Sequence, residues 1–569
     1  MKKTGAQIVY ESLIQEGVEV IFGFPGGNIL PLYDTLPQYP QLRHILVRHE
    51  QGAAHAADGY TRVTGKVGVC FATSGPGATN LVTGIANAHM DSIAMVAITG
   101  QVSRPLIGKD AFQETDITGI TLPITKHNYL VLDAGSLART IKEAFHIARS
   151  GRPGPVLIDI PRDVFLEQAE FNYPSQVDLP GYKIPSRGHP TQVKKAGKLI
   201  NEAHKPLIIA GRGVLNSGAS EELKHLAETA QIPVVTTLLG IGCFPETHVL
   251  SYGMAGMHGM GFANKALADT DLLIAVGMRF DDRVTGKVSG FAPNAKVIHI
   301  DLDPAEIGKN VSVDVPIVGD VKKVLQALNK LIEPTQHIDW MEQMEAWRKQ
   351  HPSHEIRHHE GLLPQYVVRK LFDVTKGDAI IATGVGQNQM WAAQHYLFSQ
   401  PNSFVSSGGL GTMGFGLPSA MGAKVGRPER TVWCIDGDGS FQMTLQELGT
   451  IIQDKINVKI AILNNGYLGM VRQWQELFFN RRYVATPITC PDFVKIAEAY
   501  CLPGIRVTRQ EDVESAIEQA MAYDGPFLID FMVEPEENVF PMVPPGGANV
   551  EFLELPKEEV PTWPQQSIR

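Results

Sequence analysis

Ile435-Asp436-Gly437-Asp438-Gly439-Ser440, answered downstream by Leu463-Asn464-Asn465, decides how this chain is read. An apolar run, Thr431–Ile435, leads into the first motif, Phe441–Asp454 follows with helical spacing, and a second apolar run, Val458–Leu463, leads into the second motif. Strand, helix and strand in that order form a βαβ unit with parallel strands. Asp438 and Asn465 then stand just past the carboxyl ends of two strands, the edge where open α/β sheets bind ligands. A carboxylate and an amide oxygen are hard donors suited to Mg²⁺, which keeps few protein ligands and completes its shell with phosphate and water. The flanking glycines allow close approach of the backbone to a diphosphate. Gly-Asp-Gly alone is an ordinary turn before a helix. With Asn-Asn ending 27 residues after its aspartate, across a β-α-β pattern, it is specific.

The same rhythm continues outward. In the 569-residue chain, three α/β blocks separate at shifts in composition: 1–170, 191–335 and 362–535. A proline-bearing linker, 171–190, joins the first two, and a polar, His-rich linker, 336–361, joins the last two. A proline- and glycine-rich tail, 536–569, reads as either a disordered end or a cover over the site. In the first block, runs such as Val67–Ala72 and Ile93–Thr99 alternate with helical patterns such as Ala78–Ala88. In the second, Pro206–Ala210, Val234–Thr237, Leu272–Val276 and Val297–Asp301 are spaced by helical segments; the third adds Ala379–Thr383 and Phe527–Val533. The expected class is α/β, with three doubly wound parallel-sheet domains. Gly154-Pro-Val-Leu-Ile-Asp159 echoes Gly525-Pro-Phe-Leu-Ile-Asp530 near the end of its own block, a hint that the first and third blocks share a fold.

Composition narrows the class. Hydrophobic residues are 44% and charged residues 19%, a globular balance. A net charge of −10, spread along the chain, disfavours nucleic acid, which needs a basic face. Five cysteines without a CxxC pair read as buried, reduced, small apolar side chains. The N-terminus has no apolar core of a signal peptide and no run is long enough to span a bilayer, so a cytoplasmic protein is expected, or an organellar one if a transit peptide has been removed. The histidines of the second linker (His337, His351, His354, His358 and His359) lack cysteine or acidic partners at ligand spacing and read as a solvated helix and linker.

On these motifs the chain resembles the thiamine-diphosphate enzymes. The resemblance implies that Asp438, Asn465 and the backbone carbonyl of Tyr467 hold Mg²⁺, and through it the diphosphate. It implies a pyrimidine-binding first domain, where Glu50, in Val47-Arg-His-Glu50-Gln-Gly-Ala-Ala54, bonds the aminopyrimidine and raises the basicity of its amino group. The glutamate of such enzymes is supplied by a neighbouring subunit, which implies a homodimer or tetramer with sites at the chain interface. Gly408-Gly-Leu-Gly-Thr-Met-Gly-Phe-Gly416 contains a G-x-G-x-x-G, but no adequate β run leads into it; the resemblance makes Met413 the wedge that holds the cofactor bent. Gly386 and Gln387 match the loop gripping the diphosphate, and Gly411, Gly439, Ser440 and Met470 are further candidates around the cofactor.

Within that family the chain is most similar to acetohydroxyacid synthase catalytic subunits. Phe24-Pro-Gly-Gly27-Asn28, Thr73-Ser-Gly-Pro-Gly-Ala-Thr-Asn80 and Gly108-Lys-Asp-Ala-Phe112-Gln113-Glu114 carry the likeness, with Gly27 and Gln113 approaching the reacting carbon. Gly277-Met-Arg279-Phe-Asp-Asp-Arg283 is similar to an FAD-contacting stretch, and its two arginines suit a pyrophosphate. Arg152, Gly211, Gly213, Met254, Asp301 and Asp320 match further FAD contacts. FAD is expected as a structural cofactor of the central domain. Trp474, in Gly469-Met-Val-Arg-Gln-Trp474-Gln475, is expected to shape the second-substrate pocket beside Phe112 and Arg162; such a ring can reward one methylene by about 1–3 kcal/mol.

The implied reaction decarboxylates pyruvate and joins the two-carbon unit to pyruvate or 2-ketobutyrate, in branched-chain amino acid biosynthesis. A small regulatory subunit is a further implied partner. Asn28, Ala94, Ser103 and Arg162 depart from the usual family residues; three of them, Asn28, Ser103 and Arg162, fall in the substrate channel. Pyruvate oxidase and simple 2-keto-acid decarboxylase are the nearest alternatives and would keep Glu50 and the metal motif. A glyoxylate carboligase would lack the glutamate, and a non-catalytic relative would have lost it or a metal ligand.

Overall fold

The computed structural model describes residues 2–555. Three six-stranded sheets follow one another along the chain, and every strand in them is parallel to its neighbours. The first holds β1 (Val20–Gly23), β2 (Arg43–Leu46), β3 (Gly68–Ala72), β4 (Met95–Gln101), β5 (His127–Leu130) and β6 (Pro155–Pro161). The second holds β7 (Pro206–Ala210), β8 (Val234–Thr236), β9 (Ser251–Met254), β10 (Leu272–Val276), β11 (Lys296–Asp301) and β12 (Val315–Val318). The third holds β13 (Ile380–Thr383), β14 (Phe404–Val405), β15 (Val432–Gly437), β16 (Lys459–Asn464), β17 (Gly504–Val507) and β18 (Phe527–Met532). Strands such as β4, β7, β10 and β16 are buried along their whole length, as continuous apolar runs are when helices cover both faces of a sheet.

The first and third sheets have the same winding. Their orders, β2-β1-β3-β4-β6-β5 and β14-β13-β15-β16-β18-β17, are one permutation, with the last strand in sequence inserted between the fourth and the fifth. The echoed Gly-Pro-x-Leu-Ile-Asp segments run into β6 and β18, those two inserted strands. The second sheet is wound differently, as β9-β8-β7-β10-β11-β12. Its chain moves one way from β7 and later returns to β7's other side, so a topological switch point lies between β7 and β10.

Two sequence expectations change, and of the two readings of the tail the disordered end falls away up to residue 555. The second sheet has six strands rather than four; β9 and β12 are short and carry Gly253 and Pro316, which dilute the apolar signal. Phe441–Asp454 is not one helix. A turn follows helix Asp438–Phe441, and Thr444 leaves helical geometry (φ −138°) with its Oγ1 donating to Gly414 O at 2.9 Å; a helix resumes only at Leu448–Gln453. The tail to residue 555 is an ordered strap. Glu537 O accepts from Gln387 Nε2, Val543 N donates to Met257 O, and Asn549 Nδ2 donates to Val284 O, tying the third domain to the second. The part of the tail from 556 lies outside the described residues. Among the described residues no helix is long and apolar enough to cross a membrane.

Helix Glu50–Thr64 crosses helix Gly416–Gly426 backbone to backbone, which joins the first and third domains. Gly59 and Gly422 make this approach possible: a Cβ on Gly422 would stand 1.9 Å from Ala56 O, and one on Gly59 2.1 Å from Ser419 O. Beside the crossing, the buried Arg62 guanidinium is held by Asp58 and by Asp91, the latter at 2.7 Å. Asp91 also accepts the amides of Gly408 and Gly409 from the third domain, at 3.1 and 2.6 Å. A single added methyl at the crossing must push two helices apart. Gly422→Ala is expected to cost about 3 kcal/mol and lower the melting temperature; an unchanged melting curve would contradict the backbone contact.

Candidate active site

The carboxyl edge of the third sheet gathers the metal candidates. Asp438 opens the helix after β15, and Asn465 follows β16, its direct neighbour in the sheet. Asp438 Oδ2 accepts from Gly466 N at 2.9 Å and from Cys490 Sγ at 3.0 Å. Asn465 is oriented from both ends: Nδ2 donates to Gln387 Oε1 at 3.2 Å, and Oδ1 accepts from Tyr467 N at 3.1 Å. Gln387 in turn donates to Gln473 Oε1 and to Glu537 O, both at 2.9 Å. Burial pushes the Asp438 carboxyl above the ordinary aspartate value. A buried carboxylate and an amide oxygen following adjacent strands are hard oxygen donors.

Glycines form the rest of this edge. Gly386, after β13, has φ +148°, open to glycine, and Gly411 has φ +71°. Ser440 Oγ accepts from Gly414 N at 3.0 Å, which pins the loop carrying Met413 over the Asp438 turn. A Cβ on Gly439 would meet Leu468 at 2.8 Å and the methyl of Met413 at 3.7 Å, so Met413 lies directly on that turn.

The first sheet presents a matching edge. Gly27 follows β1 and is exposed, with open space where a side chain would project. Glu50 follows β2 as the first residue of its helix, capped by His49, whose ring accepts from Gln51 N. Glu50 is 7% exposed, and its Oε2 accepts from Asn80 Nδ2 at 2.9 Å. The turn before it is held from the third domain. Buried Glu447 accepts the amides of Arg48 and His49, each at 3.1 Å, and the Thr450 hydroxyl at 2.7 Å. Gln113 has φ +60°, uncommon outside glycine, and packs against Gly75. Its neighbour Phe112 is 88% exposed, and Arg162, after β6, is also exposed. Asn28 Nδ2 donates to Ser74 Oγ at 2.6 Å.

A cavity of about 820 Å³ lies where the three domains meet. Arg152, Gly213, Met254, Arg279, Arg283, Asp301 and Asp320 line one part of it, and Gly386, Gly411, Met470 and Trp474 the other. Gly211 stays behind the wall, with its amide donating to Val276 O. Arg152 reaches in from the first domain and is paired with Glu306 at 2.8 Å and Asp303 at 3.3 Å. The volume lies in the range of ligand pockets, and the arginines suit an anionic ligand. Glu50, Gly27 and Gln113 line no part of this cavity. Trp474 and Met470 also line a second hollow of about 520 Å³, shared with Val471, Phe479 and Val484.

Several residues here had no sequence signal. Cys490, expected to be an inert apolar side chain, is half-buried against Asp438, and Cys501 is exposed. Arg472 and Gln473, which precede Trp474, are both buried and hold the strap, through Glu537 O at 3.0 Å and Val539 O at 2.9 Å.

The family model of the thiamine pyrophosphate enzyme N-terminal TPP binding domain matches residues 3–120. The central domain model matches 193–328 and the C-terminal TPP binding domain model 384–531. The chain is 55% identical over 563 residues to an acetolactate synthase of Mycobacterium bovis, covering 96% of this chain and 91% of the relative. It is 51% identical over 560 residues to an acetolactate synthase large subunit of Corynebacterium glutamicum, covering 96% and 90%. To the large subunit of Porphyra purpurea it is 49% identical over 573 residues, covering 98% and 96%.

Glu447 yields a pH prediction. Burial pushes its carboxyl from 4.5 up to about 6, with its hydrogen bonds opposing that rise in part. A folded-state pKa above the unfolded one favours folding with the proton on. This contribution is complete below 4.5 and is lost as pH rises through 6, a difference of about 2 kcal/mol. Glu447→Gln keeps an acceptor for the two amides and carries no charge. Its melting temperature at pH 8 is expected to equal or exceed that of the parent, with a flatter profile between pH 4.5 and 6. A variant less stable than the parent at pH 8 would show that the charge itself holds the turn.

Proposed function

The chain belongs to the acetolactate synthase family of thiamine pyrophosphate enzymes, and from that premise we propose an active site completed by two chains, with Mg²⁺ and FAD as further cofactors. The reaction joins two molecules of pyruvate into 2-acetolactate with release of CO₂, or pyruvate and 2-ketobutyrate into 2-aceto-2-hydroxybutyrate. Atoms and electrons balance without an oxidant, so FAD has no electrons to carry and serves the fold of the central domain. Thiamine diphosphate, when bound, supplies the electron sink for the charge left as CO₂ departs.

The chain's own residues bind, orient and move protons around that sink. Asp438, the Asn465 amide oxygen and the Tyr467 carbonyl hold Mg²⁺. Gly386, Gln387, Gly411, Gly439, Ser440 and Met470 surround the diphosphate, where glycines leave room for phosphate oxygens. Met413, which lies on the Asp438 turn, would support the bound cofactor. Glu50 holds a proton at the pyrimidine ring from a largely buried position, where a carboxylate's hydrogen bond is strong. Gly27 and Gln113 face the reacting carbon. Arg162 offers its exposed guanidinium to a keto-acid carboxylate, and Phe112 and Trp474 bound the acceptor's alkyl end.

The reading rests on buried Asp438 and Asn465, which follow neighbouring strands at one edge of the third sheet. The second chain is supported by what a single chain leaves unmade. The cavity at the third domain passes Glu50 by, and large apolar side chains stand exposed beside both candidate edges, among them Leu30, Phe112 and Leu166 on the first domain and Val471 and Val484 on the third. Apolar surface of this kind marks an interface. A homodimer or tetramer follows, and the "large subunit" in the names of relatives supports a separate smaller regulatory chain.

In an assay with pyruvate, Mg²⁺, thiamine diphosphate and FAD, acetolactate is the expected product. The purified protein should carry a flavin absorption spectrum. Glu50→Gln and Asp438→Ala should each lower the rate by about 100-fold or more. Acetaldehyde or peroxide as the main product would overturn the proposed reaction.

A further inference from the structure

Arg212 stands in the middle of Gly211-Arg212-Gly213, the turn that follows β7. This turn borders the switch point of the second sheet. Gly211 N donates to Val276 O at 2.9 Å and Gly213 N to Gly277 O at 2.8 Å, so the turn is clamped to the end of β10. A Cβ on Gly213 would come within 2.6 Å of Gly277 Cα, which shows how closely the two strand ends meet. In doubly wound sheets the anionic part of a nucleotide settles at such a point, between two strand ends. Arg212 and Arg279, one from each end, both line the large cavity there.

Among the described residues, Arg212 makes no hydrogen bond and no ion pair, and its Nε is buried without a partner. The nearest charges are Asp58, Asp91 and Arg62. Neither carboxylate is available. Asp58 is held by Arg62 and by Asn87 Nδ2 at 3.0 Å, and Asp91 by Arg62 and the Gly408 and Gly409 amides. Desolvation, with Arg62 acting in the same direction, pushes the Arg212 guanidinium down to about 9. Arg152, across the same cavity, differs in being already neutralised by Asp303 and Glu306. Arg212 is half-buried at the cavity wall, with its Nε shielded from solvent and unpaired; such a cation is costly, and an anion brought beside it removes that cost.

We infer that Arg212 is a direct contact for the diphosphate of the dinucleotide held in this cavity, and that neutralising this unpaired cation supplies part of the site's affinity. The inference rests on the flavin reading of the cavity. It gives Arg212 a binding role distinct from that of Arg279 and Arg283, and it ties occupancy of the cavity to the seam where the three domains meet.

The test uses the full chain freed of flavin, titrated with FAD and separately with riboflavin, which has no phosphate, and followed by flavin fluorescence. Arg212→Ala is expected to weaken FAD binding about tenfold or more, and Arg212→Lys to recover most of it. Riboflavin should bind the parent and both variants with about equal affinity. The flavin-free Arg212→Ala protein should melt no lower than the flavin-free parent, and FAD should raise its melting temperature by less. Undiminished FAD affinity in Arg212→Ala, together with a lower melting temperature of the flavin-free protein, would overturn the inference and make Arg212 a counter-charge for Asp58 and Asp91. Equal loss for FAD and riboflavin would overturn it in favour of shape alone. Failure of the parent itself to bind FAD would overturn the flavin reading and the inference with it.

Discussion

The backbone contact between helices Glu50–Thr64 and Gly416–Gly426 is the constraint on which the rest depends. Gly59 and Gly422 leave no room for a side chain between them, so the first and third domains meet at one fixed separation. That contact carries the Glu447 anchor at one end and the Arg62 network at the other. The turn that presents Glu50 is thereby built by both domains, although Glu50 itself bonds only within the first. The third domain's cavity does not reach the glutamate.

Buried charge is the second theme. Asp438 sits in a desolvated pocket and Arg212 stands without a partner in the cavity wall. In a protein interior such groups are held ready for a ligand of opposite charge. On the proposed reading, the first would take a metal cation and the second a phosphate.

Much of this was legible in the sequence where the signal is local. Asp438 and Asn465 could be placed because each follows an apolar run directly, and the winding common to the first and third sheets was hinted at by an echoed six-residue segment, five of its positions shared, that runs into β6 and β18. What escaped depends on contacts between distant segments. Cys490 reaches Asp438 across 52 positions, and Glu447 reaches Arg48 across 399. No periodicity encodes such pairs. Thr444 broke an apparently continuous helix because its hydroxyl finds Gly414 O, again through tertiary contact. The sequence left the tail after residue 536 open between a disordered end and a cover over the site, because proline and glycine report local stiffness and turns and do not report the partners that hold them.

The central claim is that Glu50 and Asp438 of one catalytic centre come from different chains, and complementation tests it most directly. Glu50→Gln and Asp438→Ala chains, each inactive alone, would be co-expressed with different tags and the mixed species purified through both. In a mixed dimer one centre receives both lesions and the other neither, so about half of the parent activity should return. A mixed species as inactive as either parent variant would place the whole centre within a single chain and contradict the account.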